Sequence, residues 1–320
     1  MLIRPASQSK RAMIPYLVEM TARISQGLGD SAESWRKRQA EFIRAQQRTD
    51  GGFGGREGEG DLYYTSFALR SLAVLDELDA TTVERVGGFL RARSSGEAAI
   101  VDFFSLIYSA MLLEMAAGSD IFAGVATDWR TKVAAALESL RRDDGGYAKT
   151  DEGAASSTYY TFMALICLEL LQQPFPEPHR FVEFLKSQRS PEGGFREIRV
   201  QKRPATNPTA AAMAAFRILG AIEKQFEHET AEFLSEMQTD EGGLRANTRI
   251  PIADLLSTFT GLLTLDQMDA MDRIDASAAL RYVKSLESEQ GGFRGAAWDS
   301  VEDVEYTFYG LGSLALLAPK

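Results

Sequence analysis

Two kinds of apolar pattern alternate along this chain. In the first kind, apolar residues recur three or four positions apart within a polar stretch, as Val83, Val86 and Leu90 do, and this predicts a helix with one buried face. Stretches of the second kind are apolar nearly all round, which predicts helices buried on most sides. They occur six times, at residues 61–78, 102–117, 158–171, 208–222, 254–268 and 303–317. No stretch shows sustained strand-like alternation, so the chain is predicted to be all-α.

Glycine pairs followed by an apolar residue separate a helix of the first kind from one of the second. The pairs begin at Gly51, Gly145, Gly193, Gly242 and Gly291. The last four are 48 or 49 residues apart, and the first gap of 94 residues is about twice that period, with Ser94-Ser95-Gly96 near its midpoint. Glycine suits a chain reversal at positive φ, so the spacing predicts six helical hairpins, one of them degenerate. Arranged in two concentric layers, they form an (α/α)6 toroid with the most apolar helices inside.

The toroid is predicted to fill residues 31–320 as one domain. Residues 1–30 form an N-terminal extension, in which residues 13–28 are predicted to fold as an extra helix across one end of the ring. A chain of 320 residues has room for one large domain or two, so length alone does not decide the number of domains. The six repeats of one helical hairpin favour a single toroid domain.

Charge and cysteine content narrow the classes of partner and compartment. A net charge of -10 leaves no basic stripe for a phosphodiester backbone, which argues against a nucleic-acid partner. Cys167 is the single cysteine, so no intrachain disulfide can form. Residues 1–10 lack the apolar core of a signal peptide, and no charge-free apolar run has the length of a membrane span. A cytoplasmic location without a transmembrane segment is predicted.

A second motif brings a family resemblance. An aromatic-aliphatic pair and a glutamine precede several glycine pairs, as in Phe42-Ile43 with Gln46, Phe184-Leu185 with Gln188, and Phe233-Leu234 with Gln238. Inner helices open with Asp-x-x-x-Thr, in Asp61 with Thr65, Asp254 with Thr258, and Asp303 with Thr307. From about residue 31 to 318 this repeat resembles the one shared by protein prenyltransferase β subunits and squalene-hopene or oxidosqualene cyclases. The resemblance is specific for the fold and much less so for the chemistry.

The prenyltransferase branch fits better than the cyclase branch. The cyclases carry a further toroid-like domain and an Asp-x-Asp-Asp acid, and neither is found in this sequence. Residues 305–309 are similar to the last inner helix of the prenyltransferase β subunit. The resemblance therefore implies an isoprenoid-binding, prenyltransferase β-subunit-like protein.

The resemblance also implies a zinc site, and here the chain departs from the family. Family members bind zinc through an Asp, a Cys two residues later and a His on the last inner helix, with one position left for the substrate thiolate. The matching positions are Asp254, Leu256 and Tyr306. Two of the three ligands are absent, which argues against zinc-dependent thiol prenylation. A transferase in this chain is expected to act on a prenyl diphosphate without zinc.

The isoprenoid and diphosphate sites of the family suggest two further sets of residues. The candidate isoprenoid pocket consists of aromatic residues near the starts of inner helices: Tyr63, Tyr64, Phe104, Tyr108, Tyr159, Tyr160, Phe308 and Tyr309. The candidate diphosphate site consists of basic residues before two inner helices: Arg199, Lys202, Arg203, Arg245 and Arg249. Ordinary packing between helices is the alternative for the aromatic set, and a solvated loop is the alternative for the basic set.

Carboxylates at the starts of the last two inner helices form a separate hypothesis. Asp254, Asp303 and Glu305, with Tyr306 beside them, are candidate catalytic residues. Converging carboxylates could bind Mg²⁺, or one of them could serve as a general acid or base. Helix capping is the alternative for the two aspartates, because an Asp recurs at other inner-helix starts. Glu305 has no counterpart in the other repeats.

Three functions remain open at this point. The leading one is an isoprenoid-binding prenyltransferase-like protein whose central cavity holds an isoprenoid or other apolar small molecule. The others are a terpene cyclase or lyase of the squalene type and a non-enzymatic interaction scaffold. Family prenyltransferases work with a separate helical α subunit, which makes such a subunit a candidate partner, although no feature of this sequence points to it.

Overall fold

The computed structural model describes residues 14–93, 99–118, 129–153 and 155–319. In those residues there are thirteen α-helices: α1 (Tyr16–Gly27), α2 (Glu33–Ala45), α3 (Leu62–Val74), α4 (Ala80–Ala92), α5 (Ile100–Ala117), α6 (Trp129–Ser139), α7 (Thr158–Leu170), α8 (Pro178–Ser187), α9 (Thr206–Ile218), α10 (Lys224–Ser235), α11 (Leu255–Gln267), α12 (Ala276–Ser285) and α13 (Val304–Leu317). A short 3-10 turn spans Met271–Arg273, and strands β1 (Phe293–Arg294) and β2 (Glu302–Asp303) pair as an antiparallel ribbon.

The odd-numbered helices from α3 to α13 form a closed inner ring. Each packs on the next in chain order, and α13 packs on α3 to close the circle. The even-numbered helices from α2 to α12 are the outer members of the six hairpins. This architecture confirms the predicted all-α (α/α)6 toroid. The degenerate turn expected at Ser94-Ser95-Gly96 lies outside the described residues.

Helix α5 is the one described helix long and apolar enough to cross a membrane. It lies in the inner ring between α3 and α7. More than half of it, 56%, is buried inside the structure. Its apolar character is therefore accounted for by its place in the ring.

Each glycine pair lies between the two helices of one repeat and contacts the outer helix of the next repeat. The first glycine of each pair has a positive φ, from 87° at Gly193 to 99° at Gly242. A Cβ added at Gly51 would lie 2.5 Å from the carbonyl oxygen of Arg85 on α4, and one at Gly291 would lie 2.8 Å from that of Arg38 on α2. Glycine is required both by backbone conformation and by this close approach. The contact at Gly291 links the last repeat to the first.

A threonine hydroxyl in five inner helices fixes the turn that precedes it. Each hydroxyl accepts a hydrogen bond from the backbone N–H of the residue that follows the glycine pair. The five bonds are Phe53–Thr65 (2.8 Å), Tyr147–Thr161 (2.9 Å), Phe195–Thr209 (2.8 Å), Leu244–Thr258 (2.9 Å) and Phe293–Thr307 (3.2 Å). These N–H groups are buried, so each needs a partner. The bonds give the Asp-x-x-x-Thr motif a structural reason.

The ring is also closed by polar contacts around Glu287. Its Oε1 atom accepts hydrogen bonds from Trp35 Nε1 (2.7 Å), Arg38 Nη2 (2.7 Å) and Gln39 Nε2 (2.9 Å). The Oε1 atom of Gln39 in turn accepts from the backbone N–H of Gly292 at 2.8 Å. These bonds tie helix α2 to the turn that follows α12.

The extra N-terminal helix, predicted at residues 13–28, is observed as α1, and this part of the fold prediction is confirmed. It packs on α13 and α3 and crosses the end of the ring at which the inner helices terminate. The backbone N–H of Tyr16 donates to Glu169 (2.9 Å), and Arg23 forms an ion pair with Asp266 (3.0 Å). Glu169 and Asp266 lie at the C-terminal ends of α7 and α11, so α1 closes this end of the ring.

Candidate functional site

The inner helices surround a cavity of about 430 Å³. Most side chains that line it are aromatic or aliphatic. The aromatic ones are Tyr16, Tyr63, Phe67, Phe104, Tyr159, Phe162, Phe259, Phe308 and Tyr309. Tyr16, Leu17 and Met20 come from α1 and form the floor. A mostly apolar cavity closed at one end suits the hydrocarbon part of a ligand.

Two sides of the cavity differ in the size of the side chains that line them. On one side, Phe67 of α3 contacts Phe308 and Tyr309 of α13, with ring centroids 5.8 and 5.3 Å apart. On the other side, α9 presents Ala210, Ala211 and Ala214. These short side chains leave the space that larger residues would fill.

The repeated threonine gives the register of the residues that face the cavity. Two positions before it, the cavity is lined by Tyr63, Tyr159, Asn207, Leu256 and Glu305. Two positions after it, the lining residues are Phe67, Met163, Ala211, Thr260 and Tyr309. Five positions after it, they are Arg70, Ile166, Ala214 and Leu263. Steps of four and three residues keep these positions on one helix face.

Five of the eight predicted pocket aromatics line the cavity, and three do not. Tyr63, Phe104, Tyr159, Phe308 and Tyr309 face the cavity. Tyr64 and Tyr160 lie outside its lining, because each directly precedes its threonine and points to a different helix face. Tyr108 is buried, and its hydroxyl is 2.6 Å from that of Thr21 on α1.

Glu305 is the one predicted catalytic residue in the cavity wall. Its Oε1 atom accepts hydrogen bonds from the hydroxyls of Tyr63 (2.7 Å) and Tyr309 (3.4 Å). Burial raises the pKa of this carboxyl, although the hydrogen bond from Tyr63 acts in the opposite direction. The shift makes the proton of Glu305 harder to remove than that of a solvated glutamate, and the side chain faces the cavity, where it can exchange a proton with a bound molecule.

Asp254 and Asp303 make the contacts of helix caps. The carboxylate of Asp254 accepts from the backbone N–H of Ser257 (2.7 Å) and from its hydroxyl (2.8 Å). That of Asp303 accepts from the backbone N–H of Tyr306 at 2.9 Å. Neither aspartate is in the cavity lining. Asp61 caps α3 in the same way, so the repeated position is a structural one.

The residues at the family's zinc positions do not fit zinc. The carboxylate of Asp254 is held by Ser257, Leu256 offers no donor atom, and burial raises the pKa of the Tyr306 phenol to about 12. Nor does the described part of the chain bring three or more His, Cys, Asp or Glu side chains together as metal ligands. The hypothesis that Asp254, Asp303 and Glu305 converge on a Mg²⁺ ion is not supported, because the two aspartates make the helix-cap contacts of the alternative.

The predicted diphosphate cations are not part of the cavity wall. Arg199, Lys202, Arg203 and Arg249 are exposed on loops, and Arg203 donates to the hydroxyl of Thr248 at 3.0 Å. Arg245 donates to the backbone carbonyl of Glu236 at 2.9 Å. None of the five lines the cavity.

Two charged residues of the cavity wall, Arg70 and Glu197, were missed in the sequence analysis. Arg70 lies in α3 and is only 7% exposed. Glu197 follows the turn before α9, accepts a hydrogen bond from the hydroxyl of Ser157, and has a pKa raised by burial. A signal for Arg70 was present, because a single arginine interrupts an otherwise apolar inner helix five positions after Thr65.

Comparison with known families and structures agrees with this geometry. The family profile described as the prenyltransferase alpha-alpha toroid domain matches residues 5–100, 104–245 and 211–319. No curated protein gives a significant match to the sequence.

Three solved structures show how widely the fold is shared. Candida albicans protein geranylgeranyltransferase-I, solved with GGPP, is similar with a TM-score of 0.70 at 14% identity, covering 88% of this chain and 90% of that one. A variant of the type II terpene cyclase MstE from Scytonema, solved with geranylgeranyl dihydroxybenzoate, has a TM-score of 0.63 at 13% identity, covering 94% and 99%. An α-1,6-mannanase from Salegentibacter has a TM-score of 0.62 at 12% identity, covering 94% and 98%. At such identities these likenesses establish the fold alone.

Proposed function

For a chain that belongs to the prenyltransferase alpha-alpha toroid domain family, we propose that the central cavity binds an isoprenoid. The observation that carries the proposal is the cavity itself, which is lined mainly by aromatic and aliphatic side chains and closed at its floor by α1. Burial of an isoprenoid tail there gains free energy in proportion to the apolar area removed from water. Two structures of the same fold were solved with geranylgeranyl compounds, which supports the choice of ligand.

The chemistry we propose is a prenyl transfer without zinc. An acceptor nucleophile attacks C1 of a prenyl diphosphate, the C1–O bond breaks, and diphosphate leaves. Glu305 is the cavity group placed to take the acceptor's proton once it is ionised. No step requires a metal from Asp254, Leu256 and Tyr306, whose atoms do not form a zinc site.

Binding is tested by filling the space beside α9. We expect purified protein to bind geranylgeranyl diphosphate saturably in calorimetry, and Ala214→Trp to weaken binding at least about tenfold because the indole occupies the cavity. Ala276→Trp, the same change on the exposed start of α12, is the matched control and should bind as the wild type does. Absence of saturable binding to the wild type, or equal effects of the two variants, would sink the proposal.

Glu305 also favours a second candidate, a terpene cyclase. A buried carboxylic acid facing an aromatic cavity is the type of group that protonates an alkene. Incubation with polyprenyl substrates followed by mass spectrometry separates the two functions. Cyclised hydrocarbon that disappears in Glu305→Gln would support the cyclase, and released diphosphate with a prenylated acceptor would support the transferase.

A further inference from the structure

Arg70 places a positive charge inside the apolar cavity. It lies seven residues after Tyr63 in α3, which puts it about 10 Å further along the helix from the end where the inner helices begin. The residue is 93% buried and lines the cavity. Burial lowers the pKa of its guanidinium, but an arginine stays protonated in proteins.

The guanidinium is left without an anionic partner by the described residues. Its Nε atom donates to the backbone carbonyl of Ser66 at 3.2 Å, and its two Nη groups make no hydrogen bond in the described part of the chain. Glu305 and Glu197, the carboxylates of the cavity wall, bond instead to the hydroxyls of Tyr63 and Ser157. Among the residues that the structure describes, four of the five N–H donors of Arg70 thus have no partner.

Aromatic rings hold the guanidinium in place without neutralising it. Its central carbon lies 3.8 Å from the ring centroid of Phe67 and 4.8 Å from that of Phe308. Contacts of this kind offset part of the cost of removing a cation from water. They leave the planar edge with the Nη groups available for two parallel hydrogen bonds, the arrangement that carboxylates and phosphates accept.

We propose that Arg70 is an anion subsite within the cavity, and that the ligand is an elongated apolar molecule whose carboxylate or phosphate oxygens bond to the two Nη groups. The location of the apolar part rests on the proposed function. With its head on Arg70, the ligand lays its tail along the alanines of α9. A fixed positive charge in this position also opposes a carbocation in the same cavity, which disfavours the cyclase.

The test compares ligands that differ only in the head group. Farnesoic acid and farnesol, and palmitate and hexadecanol, are titrated calorimetrically into wild type, Arg70→Gln and Arg281→Gln. Arg281 is an exposed arginine of α12 and gives the matched charge control. We expect the wild type to bind each acid about tenfold or more tighter than its alcohol. Arg70→Gln should lose this preference and keep its affinity for the alcohols, whereas Arg281→Gln should keep both.

Equal affinity for acid and alcohol in the wild type would overturn the subsite, as would a preference that survives in Arg70→Gln. Circular dichroism of both variants shows whether they are folded. Farnesyl monophosphate, run beside farnesoic acid, identifies which oxyanion is preferred. If palmitate shows the Arg70-dependent preference and no isoprenoid binds, the isoprenoid assignment fails and the anion subsite stands. If farnesol and farnesoic acid bind equally well, the isoprenoid assignment stands and the anion subsite fails.

Discussion

The turns before the inner helices and the helix faces that line the cavity are adjacent regions that differ in how their residues repeat. The turns use the same residues in most repeats, and the cavity faces do not. In the turns, the same threonine bond recurs in five repeats, and a glycine at positive φ precedes each bond. On the cavity faces, the position five residues after the threonine is Arg70 in one helix, Ile166 in the next and Ala214 in a third. The turns maintain the ring, so they tolerate little variation. The cavity positions differ from helix to helix, and in the function that we propose these differences shape the space for the ligand.

The largest expected effect tests the turns. Gly242→Ala puts a Cβ at a φ of 99° and 2.4 Å from the carbonyl oxygen of Ala278. Because the contact is with backbone of the neighbouring helix, we expect a loss of about 3 kcal/mol or more in the free energy of unfolding, measured with urea.

Gly88→Ala is the matched control for Gly242→Ala. Gly88 lies in α4, and a Cβ there meets nothing within 4 Å. The same substitution should therefore stabilise the protein by about 0.5–1 kcal/mol. Similar losses in both variants would contradict the distinction between turn and open position.

A smaller effect is expected from a comparison of two threonines in α11. Thr258→Val removes the acceptor for the buried N–H of Leu244, and we expect a cost of about 2 kcal/mol. Thr260 faces the cavity, where its hydroxyl bonds to Asn207 at 2.7 Å. Thr260→Val should cost less than about 1 kcal/mol, because the Thr260 hydroxyl is a donor and its loss leaves no buried backbone N–H without an acceptor. A larger loss in the free energy of unfolding for Thr260→Val in urea would show that the cavity face also stabilises the fold.

The difference between the turns and the cavity faces explains why the fold could be predicted from the sequence and most of the site could not. Glycine pairs and Asp-x-x-x-Thr recur because local backbone geometry demands them, so the toroid and its six hairpins follow from the sequence. The site does not repeat, and a family resemblance directed attention to Asp254 and to basic loops such as the one with Arg249. Glu305 was predicted because it has no counterpart in the other repeats, and counting from the threonine would have placed Arg70 on the same cavity face. The empty space beside Ala214 required the assembled ring, since it depends on what the other helices supply.

The aspartates at the helix starts give the next smaller effect. Asp254→Ala should cost about 1 kcal/mol in the free energy of unfolding, because it removes the cap of α11. Affinity for an isoprenoid ligand should stay at the wild-type value, since Asp254 does not line the cavity. Asp254→Asn retains a capping side chain and should recover most of the stability. A loss of binding in Asp254→Asn at unchanged stability would show that Asp254 takes part in ligand binding.

The smallest effect is a pH dependence of stability that centres on Glu305. Burial raises its pKa above the ordinary value of 4.5 in the folded protein. Below pH 4.5 the carboxyl is protonated in both states. As the pH rises above 4.5, the unfolded chain ionises first, so the wild type loses stability until the pH passes the folded pKa. Glu305→Gln cannot ionise, and the stability of the wild type relative to this variant should fall across that window in denaturation series.

The partly buried carboxyls of Asp61, Asp254 and Glu197 are present in both proteins, so their contributions cancel. The charge of Asp303 raises the pKa of Glu305, so the difference between the two profiles reports Glu305 together with its coupling to Asp303. Tyr63→Phe is the control, because it should extend the fall in stability with pH that Glu305→Gln removes. The Tyr63 hydroxyl lowers the pKa of Glu305 through its hydrogen bond, so its removal should raise that pKa further and extend the fall in stability to higher pH. Parallel pH profiles for wild type and Glu305→Gln would mean that Glu305 is as well solvated as an ordinary surface glutamate, and its assignment to the functional cavity face would then be wrong.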